Sequence, residues 1–255
     1  MSLRYMSTFS IITVCYNAAE TIARTIASVD CQTYTDYEHI IVDGASKDST
    51  LELIAHSSNE HRKVISEPDN GLYDAMNKGI GHAEGRYLIF LNAGDKFHSP
   101  DTLATIAHAI EDNNYPGIVY GQTVIVDNDG NYLAPRHLSA PEKLTHRSFA
   151  DGMLVCHQAF VAIKRIVGFY NTDYRYSADY EWCIRCLQHS RSNVGLTDTV
   201  LIDYLSEGIT TRNKLPSLIE RFRIMTYYYG FFTATAKHMG FVGRWWKRRN
   251  NKASQ

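Results

Sequence analysis

Residues 67–95 read EPDNGLYDAMNKGIGHAEGRYLIFLNAGD and run from a turn through a helix and a buried strand into an acid. RYLIFL is an apolar run of strand length, and Asp95 follows where that strand is expected to end. In open α/β sheets, ligands bind outside the carboxyl ends of the strands. Asp95 is therefore a candidate metal or ligand carboxylate, although a turn explains the same position. Gly94 beside it contributes no second carboxylate.

The segments around this stretch alternate between strands and helices. Strands are expected at FSIITVCY (9–16), HIIVD (39–43), KVIS (63–66) and RYLIFL (86–91). A helix is expected after each strand, the third over about 72–78 and the fourth over 100–111. This order predicts a three-layer α/β fold with a mostly parallel central sheet.

Local signals mark where two of these helices begin. Asn17 and Glu20 resemble a capping box for the first helix. Ser99-Pro100 resembles an N-cap and a first-turn proline for the fourth.

The pattern changes after Pro116. Asn128-Asp129-Gly130 lies between two apolar runs and predicts a β-hairpin. A helix at DYEWCIRCLQH (179–189) and a strand at TVLIDYL (199–205) follow. The last expected helix starts near Leu215 and places four apolar residues on one face: Leu218, Ile219, Phe222 and Met225.

Composition limits the class of protein. The chain has 255 residues, 44% of them hydrophobic, enough for one large domain or a domain with a helical appendage. A formal net charge of −1 offers no general argument for nucleic acid as a partner. The five cysteines are an odd number, and no secretory leader is visible, which favours a reducing cytoplasm. No apolar run approaches the ~20 residues of a membrane span, so we expect a soluble or peripheral protein.

Three strand ends are expected to meet at one edge of the sheet, at Tyr16-Asn17, Asp43 and Asp95. Neither GxxxxGK nor GxGxxG follows the first strand. A phosphate-bearing ligand would therefore need another source of positive charge, and Mg²⁺ or Mn²⁺ on carboxylate oxygens supplies it. Asp43 suits a hydrogen bond to a base or ribose. A helix cap at Asp43 and a turn at Asp95 are equally open.

Later positions offer further candidates. Asp179 begins a helix and suits a general base, although a charge that favours the helix dipole explains it too. His157-Gln158 are candidates to line a cleft, with a packed histidine as the alternative. Cys183 and Cys186 form C-x-x-C, for which packing of apolar sulfur is favoured over a zinc site.

The tail from Trp245 to Arg249 reads WWKRR. Interfacial aromatics next to cations are typical of peripheral membrane segments, and a solvated basic end explains the same composition.

Four stretches, taken together and in order, resemble a known family: ITVCYNAAETI (12–22), HIIVDGASKDST (39–50), SEPDNGLYDAMNKGI with AEGRYLIFLNAGD (66–95) and YSADYEWCIR (176–185). The chain resembles the inverting, nucleotide-sugar-dependent glycosyltransferases of family 2, which have the GT-A fold. Within that family it is most similar to bacterial enzymes of colanic-acid, O-antigen and capsule assembly.

The resemblance implies a domain organisation. A GT-A domain is expected over 8–205, with a nucleotide-sugar-binding half (8–112) and an acceptor-binding half (113–205). A helical extension with the basic aromatic tail is expected over 206–255.

The resemblance also implies a donor site along the strand ends. Asp43 matches the acid that binds uracil or ribose, and Asp69 lies in the turn that closes on the nucleotide. Asp95 matches the acid that binds Mn²⁺ or Mg²⁺ directly, and Gly94 replaces a second acid. The full set implied for nucleotide-sugar binding is Thr13, Cys15, Tyr16, Asn17, Glu20, Asp43, Asp69, Asn92, Ala93 and Gly94.

On the catalytic side, Asp179 matches the second residue of the family's E-D pair and hence its catalytic base. Ala178 replaces the Glu, and His157-Gln158 match the acceptor side. The resemblance implies transfer of one sugar, with UDP-sugar favoured, to a lipid-linked or oligosaccharide acceptor during cell-surface polysaccharide synthesis. The expected place is the cytoplasm or the inner face of the cell membrane.

Two other functions remain open. Gly94 and Ala178 suggest a relative that binds nucleotide-sugars without catalysis. A nucleotidyltransferase would share the sheet, but YNAAET lacks the glycine-rich, basic loop of that class.

Overall fold

The computed structural model describes residues 6–206 and 214–240. Within this part of the chain, nine strands form one sheet. The strands are β1 (Phe9–Cys15), β2 (Tyr37–Asp43), β3 (Arg62–Ser66), β4 (Tyr87–Phe90), β5 (Lys96–Phe97), β6 (Ile118–Val126), β7 (Tyr132–Pro135), β8 (Phe160–Ile163) and β9 (Asn193–Leu205). The helices are α1 (Ile22–Asp30), α2 (Thr50–His56), α3 (Leu72–His82), α4 (Thr102–Asp112), α5 (Ala178–His189) and α6 (Lys214–Tyr229), and residues 231–240 are also helical.

The strand order is β3-β2-β1-β4-β8-β6-β9-β5, with β7 paired to β6. The first four strands in this order run parallel to one another. Beyond β4 the directions mix, because β8 is antiparallel to both β4 and β6 while β9 is parallel to β6. The predicted α/β class is confirmed, and most of its parallel pairing lies in the amino-terminal half.

The parallel half has a buried centre and a more exposed edge, because the edge strand β3 has no fully buried residue. Every residue of β1 and β4 is buried, as expected for parallel strands covered on both faces. Gly79 lets α3 lie close to β1, because a methyl group there would come within 2.4 Å of Ile12 Cγ2. This contact explains why α3 continues through Gly79 to His82, past the predicted end at Lys78.

The two predicted helix starts are wrong by a few residues. The first helix begins at Ile22 without a side-chain cap, so Asn17 and Glu20 form no capping box. The fourth helix begins at Thr102, two residues beyond Pro100. Ser99 instead accepts a hydrogen bond from the backbone of Asp101 (3.1 Å), which closes a turn before the helix.

Other expectations have mixed outcomes. The hairpin at 128–130 joins β6 to β7, and α5 and β9 include the predicted helix and strand. The two-residue strand β5 and the strand β8 were not predicted. Of the four apolar residues predicted on one face of α6, Met225 is buried and Ile219 is 48% exposed. Within residues 6–206 and 214–240, no helix is long and apolar enough to cross a bilayer. The predicted tail at 245–249 lies outside the described residues.

Candidate active site

Hydrogen bonds join the loops that follow β1 and β2. These strands pair in parallel with Cys15 opposite Asp43, so their loops leave the sheet side by side. The backbone N–H of Asn17 donates to Ser46 Oγ (2.8 Å). Asn17 has a positive φ of 48°, which aims its amide oxygen at the Lys47 N–H (2.9 Å). The two loops therefore form one surface at the carboxyl edge of the sheet.

Asp43 lies beneath this surface and stabilises the loop after β2 through hydrogen bonds. It is 0% exposed and accepts hydrogen bonds from the Ser46 N–H (3.0 Å), the Ser66 hydroxyl (2.7 Å) and the Ser46 hydroxyl. The Cys15 thiol also donates to it at 3.7 Å, because burial and the negative charge of Asp43 raise the thiol pKa and keep it protonated. Asp43 therefore neither caps α2 nor presents an open oxygen, and it shapes the loop above it.

Tyr16 and Asp69 lie next to Gly44 at the outer side of this surface. A methyl group on Gly44 would meet Asp69 Oδ2 at 2.4 Å and the Tyr16 ring at 3.3 Å, so this approach requires glycine. Tyr16 is 59% exposed, and Asp69 Oδ1 accepts the Gly71 N–H (2.8 Å). An exposed ring beside an acid offers a stacking face and a hydrogen-bond acceptor, which are the groups that a nucleoside needs.

One residue of the implied donor set, Thr13, lies away from that surface. Thr13 is 0% exposed and its hydroxyl bonds to His39 Nε2 (3.0 Å), so its side chain lies inside the sheet and not at its edge. Glu20 is exposed in the turn before α1.

The segment 92–95 continues β4 alongside β1. The Ala93 N–H donates to the Val14 carbonyl (3.2 Å), which places this segment beside the end of β1. From α1, the Thr25 hydroxyl accepts the Gly94 N–H (2.9 Å) and donates to the Asp95 carbonyl (2.7 Å). One threonine thus fixes the turn that carries Asp95.

Gly94 is required by this turn. Its φ is +101°, a conformation that side-chain-bearing residues rarely adopt. A Cβ there would also lie 2.6 Å from Leu205 Cδ2. An aspartate at position 94 does not fit this backbone, so the missing second acid is part of how the turn is built.

Asp95 is buried at the end of this turn, with 4% of its surface exposed. Its two oxygens accept the Leu205 N–H (3.0 Å) and the Gln158 amide (2.8 Å). Burial raises its pKa to about 6, although both hydrogen bonds act in the opposite direction. A nearby cation would remove this penalty on the charged form.

The surroundings of Asp95 fit a hard divalent cation. A carboxylate has about four lone-pair sites, and two of those on Asp95 are in use. Asn92 Oδ1 is buried with no hydrogen-bond partner among the described residues. Both groups supply oxygen, as Mg²⁺ and Mn²⁺ prefer. Within the described ranges, no three His, Cys, Asp or Glu side chains form a metal cluster. A cation here would therefore take further ligands from water or substrate, and the C-x-x-C pair shows no zinc cluster.

Two consecutive residues connect Asp95 to Asp179. Gln158 bonds to Asp95, and His157 Nδ1 lies 3.4 Å from Asp179 Oδ2. Both are buried, and His157 Nε2 has no partner in the part of the chain that the structure describes. The 3₁₀ turn that carries them therefore holds the two acids in one network.

Asp179 is the second residue of α5, and 16% of its side chain is exposed. Its Oδ1 accepts the Tyr73 hydroxyl (3.1 Å) and its own helix N–H at Tyr180 (2.9 Å). Burial raises its pKa, but the hydrogen bond and charge of His157 and the charge of Arg221 outweigh burial, so the pKa is lowered overall. Asp179 is therefore ionised at neutral pH and can accept a proton.

Sequence reasoning missed two residues of this network. Tyr73 directly follows the first residue of α3, and its ring stacks on Tyr170 (5.4 Å between centroids), which stacks on Trp182 (5.1 Å). The Asn70-Gly71 turn marked the start of α3, but not the partner of Tyr73. Arg221 comes from α6, remote in sequence, and no local pattern indicates its role.

Comparisons with known proteins show which family the chain is related to. The profile described as "Glycosyl transferase family 2" matches residues 10–167. A PGL/p-HBAD biosynthesis glycosyltransferase of Mycobacterium bovis is 33% identical over 187 residues, which cover 71% of this chain and 70% of that protein. The amylovoran biosynthesis glycosyltransferase AmsB of Erwinia amylovora is 31% identical over 194 residues, 69% of this chain and 63% of AmsB.

Solved structures show the same fold at low sequence identity. S. aureus TarS 1-349 superposes with a TM-score of 0.71 at 15% identity, over 92% of this chain and 72% of that one. The mannosyltransferase PcManGT of Pyrobaculum calidifontis superposes with a TM-score of 0.60 at 17% identity, over 95% and 77%. These likenesses confirm the predicted GT-A fold with helices at its C-terminal end. With the matched profile and relatives above 30% identity, the chain belongs to glycosyl transferase family 2.

Proposed function

We propose that this protein transfers one sugar from a nucleotide-sugar to an acceptor hydroxyl with inversion, with Asp179 as the general base. The observation that carries the proposal is the network in which Gln158 holds Asp95 and the adjacent His157 pairs with Asp179. Asp95 suits a cation that contacts the leaving diphosphate, and Asp179 suits acceptance of the proton from the nucleophile.

The donor is proposed to bind along the loops after β1 and β2. Tyr16 offers a face for the base, and the loop above Asp43 offers backbone groups beside Asp69. A UDP-sugar is favoured, because TarS, which shares the fold, has been solved with UDP and with UDP-GlcNAc. PcManGT was solved with GDP-Man and Mn²⁺, so a GDP-sugar is the second choice.

Asp95 and the amide oxygen of Asn92 would hold Mn²⁺ or Mg²⁺. When bound, the cation would offset the charge that develops on the departing diphosphate. Burial disfavours the charged form of the Asp95 carboxylate and raises its pKa to about 6, so a cation beside it would offset this cost.

The chemical step is a single displacement. Asp179 accepts the proton of the acceptor hydroxyl, whose oxygen forms a bond to the anomeric carbon as the bond to the nucleoside diphosphate breaks. One displacement inverts the configuration. The Tyr73 hydroxyl and His157 fix the orientation of the Asp179 carboxylate, so that its free lone pairs face the acceptor.

We propose cell-surface polysaccharide or glycolipid synthesis as the setting, with a lipid-linked or oligosaccharide acceptor at the cytoplasmic side of a membrane. The support is the family together with two relatives whose names place them in PGL/p-HBAD and amylovoran biosynthesis.

A non-catalytic, donor-binding relative is the competing function, and the departures at Gly94 and Ala178 favour it. Ala178 is 0% exposed, so a glutamate there would be buried in the core. Both departures are thus explained by packing, while Asp95 and Asp179 are retained.

The test is release of nucleoside diphosphate from a panel of UDP-, GDP- and dTDP-sugars with Mn²⁺. We expect slow donor hydrolysis, faster with a membrane extract that supplies acceptors, and its loss in Asp179→Asn. The matched control is Asp173→Asn, an exposed acid just before α5. Tight donor binding without turnover would instead establish the non-catalytic function.

A further inference from the structure

The helix α6 carries apolar side chains on its outer face. Leu215, Ile219 and Tyr227 are 68%, 48% and 80% exposed, and with the exposed Arg223 they recur every four residues. This spacing places them on one side of the helix. The inner side is already buried, since Ile224 is 0% exposed.

The helical stretch 231–240 extends this apolar surface. Phe231, Phe232 and Met239 are 57%, 87% and 71% exposed. The Phe231 ring packs on Phe222 of α6, with 6.1 Å between centroids, so the two helices are in contact. We call the exposed residues of both helices the C-terminal apolar face: Leu215, Ile219, Tyr227, Phe231, Phe232 and Met239.

The exposure of this face does not come from a helix that fails to pack, because the other side of α6 contacts the rest of the protein through hydrogen bonds. Glu220 accepts the backbone N–H groups of Arg175 and Tyr176, each at 2.8 Å. The Tyr228 hydroxyl donates to Glu181 (2.6 Å). A large apolar surface on a docked element marks an interaction site.

Charge in the chain is sharply divided at the same place. Residues 214–255 contain one acid, Glu220, and nine Lys or Arg, a formal net charge of +8. Residues 1–213 contain 17 Lys or Arg and 26 Asp or Glu, a formal net charge of −9. The nine cations are Lys214, Arg221, Arg223, Lys237, Arg244, Lys247, Arg248, Arg249 and Lys252.

We propose that the C-terminal apolar face, together with the basic segment 241–255, docks on the surface of an anionic lipid bilayer. Exposed aromatic and aliphatic side chains next to cations suit the boundary between acyl chains and anionic headgroups. A second copy of this chain fits less well. In a twofold dimer the same patch meets itself, which would bring two strongly positive segments together. A soluble polyanion would leave Phe232 and Met239 in water.

The docked face lies close to the catalytic network. Arg221, on the same helix, acts electrostatically on Asp179, and its guanidinium lies 5.7 Å from the Tyr180 ring centroid. A helix with its side chains is about 10–12 Å across, so a bilayer on the outer side of α6 would lie about one helix diameter from the inner side. Docking would therefore present an acceptor anchored in the membrane to Asp179.

The experiment is co-sedimentation of the full chain with phosphatidylcholine vesicles, with and without phosphatidylglycerol. The variants are Phe232→Glu/Met239→Glu for the apolar face and Lys247→Ser/Arg248→Ser/Arg249→Ser for the charge. Phe169→Glu is the matched control, since Phe169 is 59% exposed outside the C-terminal segment. All changed side chains of the face and the control are exposed, so folding is retained, and circular dichroism checks this.

We expect the wild type and Phe169→Glu to bind anionic vesicles with equal affinity. The apolar-face variant should bind at least about tenfold more weakly, as expected when a buried Phe and Met are lost. The charge variant should lose most of the preference for phosphatidylglycerol and most of the salt dependence. Equal binding by the apolar-face variant and the control would overturn the proposal. The proposal would also be overturned if the wild type does not bind vesicles but forms a dimer that Phe232→Glu/Met239→Glu dissociates. Binding of the wild type to a soluble polyanion and not to vesicles would overturn it as well. None of these measurements depends on sugar transfer, so a result that overturns the docking surface would leave the proposed reaction untouched, and the reverse also holds.

Discussion

Asp43 and Asp95 are both buried acids at the carboxyl edge of the parallel half of the sheet. Asp43 ends β2 and Asp95 follows β4, the two strands that flank β1, but the surroundings of the two acids differ. Asp43 accepts hydrogen bonds from two serines and a thiol. Asp95 accepts two, and the amide oxygen of Asn92, three residues earlier, has no hydrogen-bond partner among the described residues. Burial alone therefore does not distinguish the acids proposed to bind ligands. Unused hydrogen-bond capacity does distinguish them, because Asp95 keeps free lone pairs, whereas Asp43 has already used its own.

Asp179→Asn should have the largest effect, because it removes the proton acceptor and keeps the shape. We expect kcat to fall about a thousandfold, within the range for loss of a general base, with UDP affinity unchanged. The measurements are initial rates and UDP binding by calorimetry, with Asp173→Asn as the control. A large loss of UDP binding in Asp179→Asn would contradict its role as the base.

Asp95 should control metal binding, and Asp43 should not. Asp95→Asn is expected to weaken Mn²⁺ at least about tenfold, because one charged ligand becomes neutral. In the wild type a proton competes with the metal at Asp95, whose pKa is about 6, so Mn²⁺ affinity should fall about tenfold for each pH unit below that value. Mn²⁺ titration followed by electron paramagnetic resonance measures both. A flat pH profile from 5 to 7 would exclude Asp95 as the metal ligand.

The two acids should have opposite effects on stability. Asp43→Asn removes a satisfied acceptor and should lower the free energy of unfolding by about 1–3 kcal/mol. Asp95 has a raised folded-state pKa, so its stabilisation is complete below its ordinary pKa of 3.8 and is lost as pH rises through about 6. Without metal, the free energy of unfolding of Asp95→Asn should therefore rise relative to that of the wild type as the pH goes from 4 to 8. The rise should be at most about 3 kcal/mol. Urea unfolding at both pH values checks the sign, and equal pH dependence in both proteins would contradict it.

The smallest effect should come from the glycine beside Asp95. Gly94→Ala and Gly71→Ala both place a side chain at a positive φ, but only the first meets a neighbour, Leu205. We expect Gly94→Ala to be less stable than Gly71→Ala by about 1 kcal/mol, because of overpacking. Adding Leu205→Ala should remove that difference. If the two alanine variants unfold at the same urea concentration, Leu205 does not crowd a side chain at position 94.

Much of the fold was readable from local patterns. The continuous apolar runs of β1, β2 and β4, and the hairpin signal at 128–130, predicted the elements that the structure contains. The misses have a common physical cause. Gly79 extends α3 because it packs on Ile12, and β5 exists because β9, far along the chain, pairs with it. Neither contact leaves a local signal.

The sequence by itself determined the parallel α/β half and the family resemblance, and it named Asp95 and Asp179 as candidates, because strand periodicity and short motifs are local properties of the chain. The tertiary structure alone decided what each acid can do. It surrounded Asp43 with donors, gave Gly94 a positive φ that an aspartate rarely adopts, and brought Tyr73, His157 and Arg221 to Asp179. It also left one side of α6 apolar and exposed. These outcomes depend on contacts between residues tens to more than a hundred positions apart, and such contacts exist only after the chain has folded.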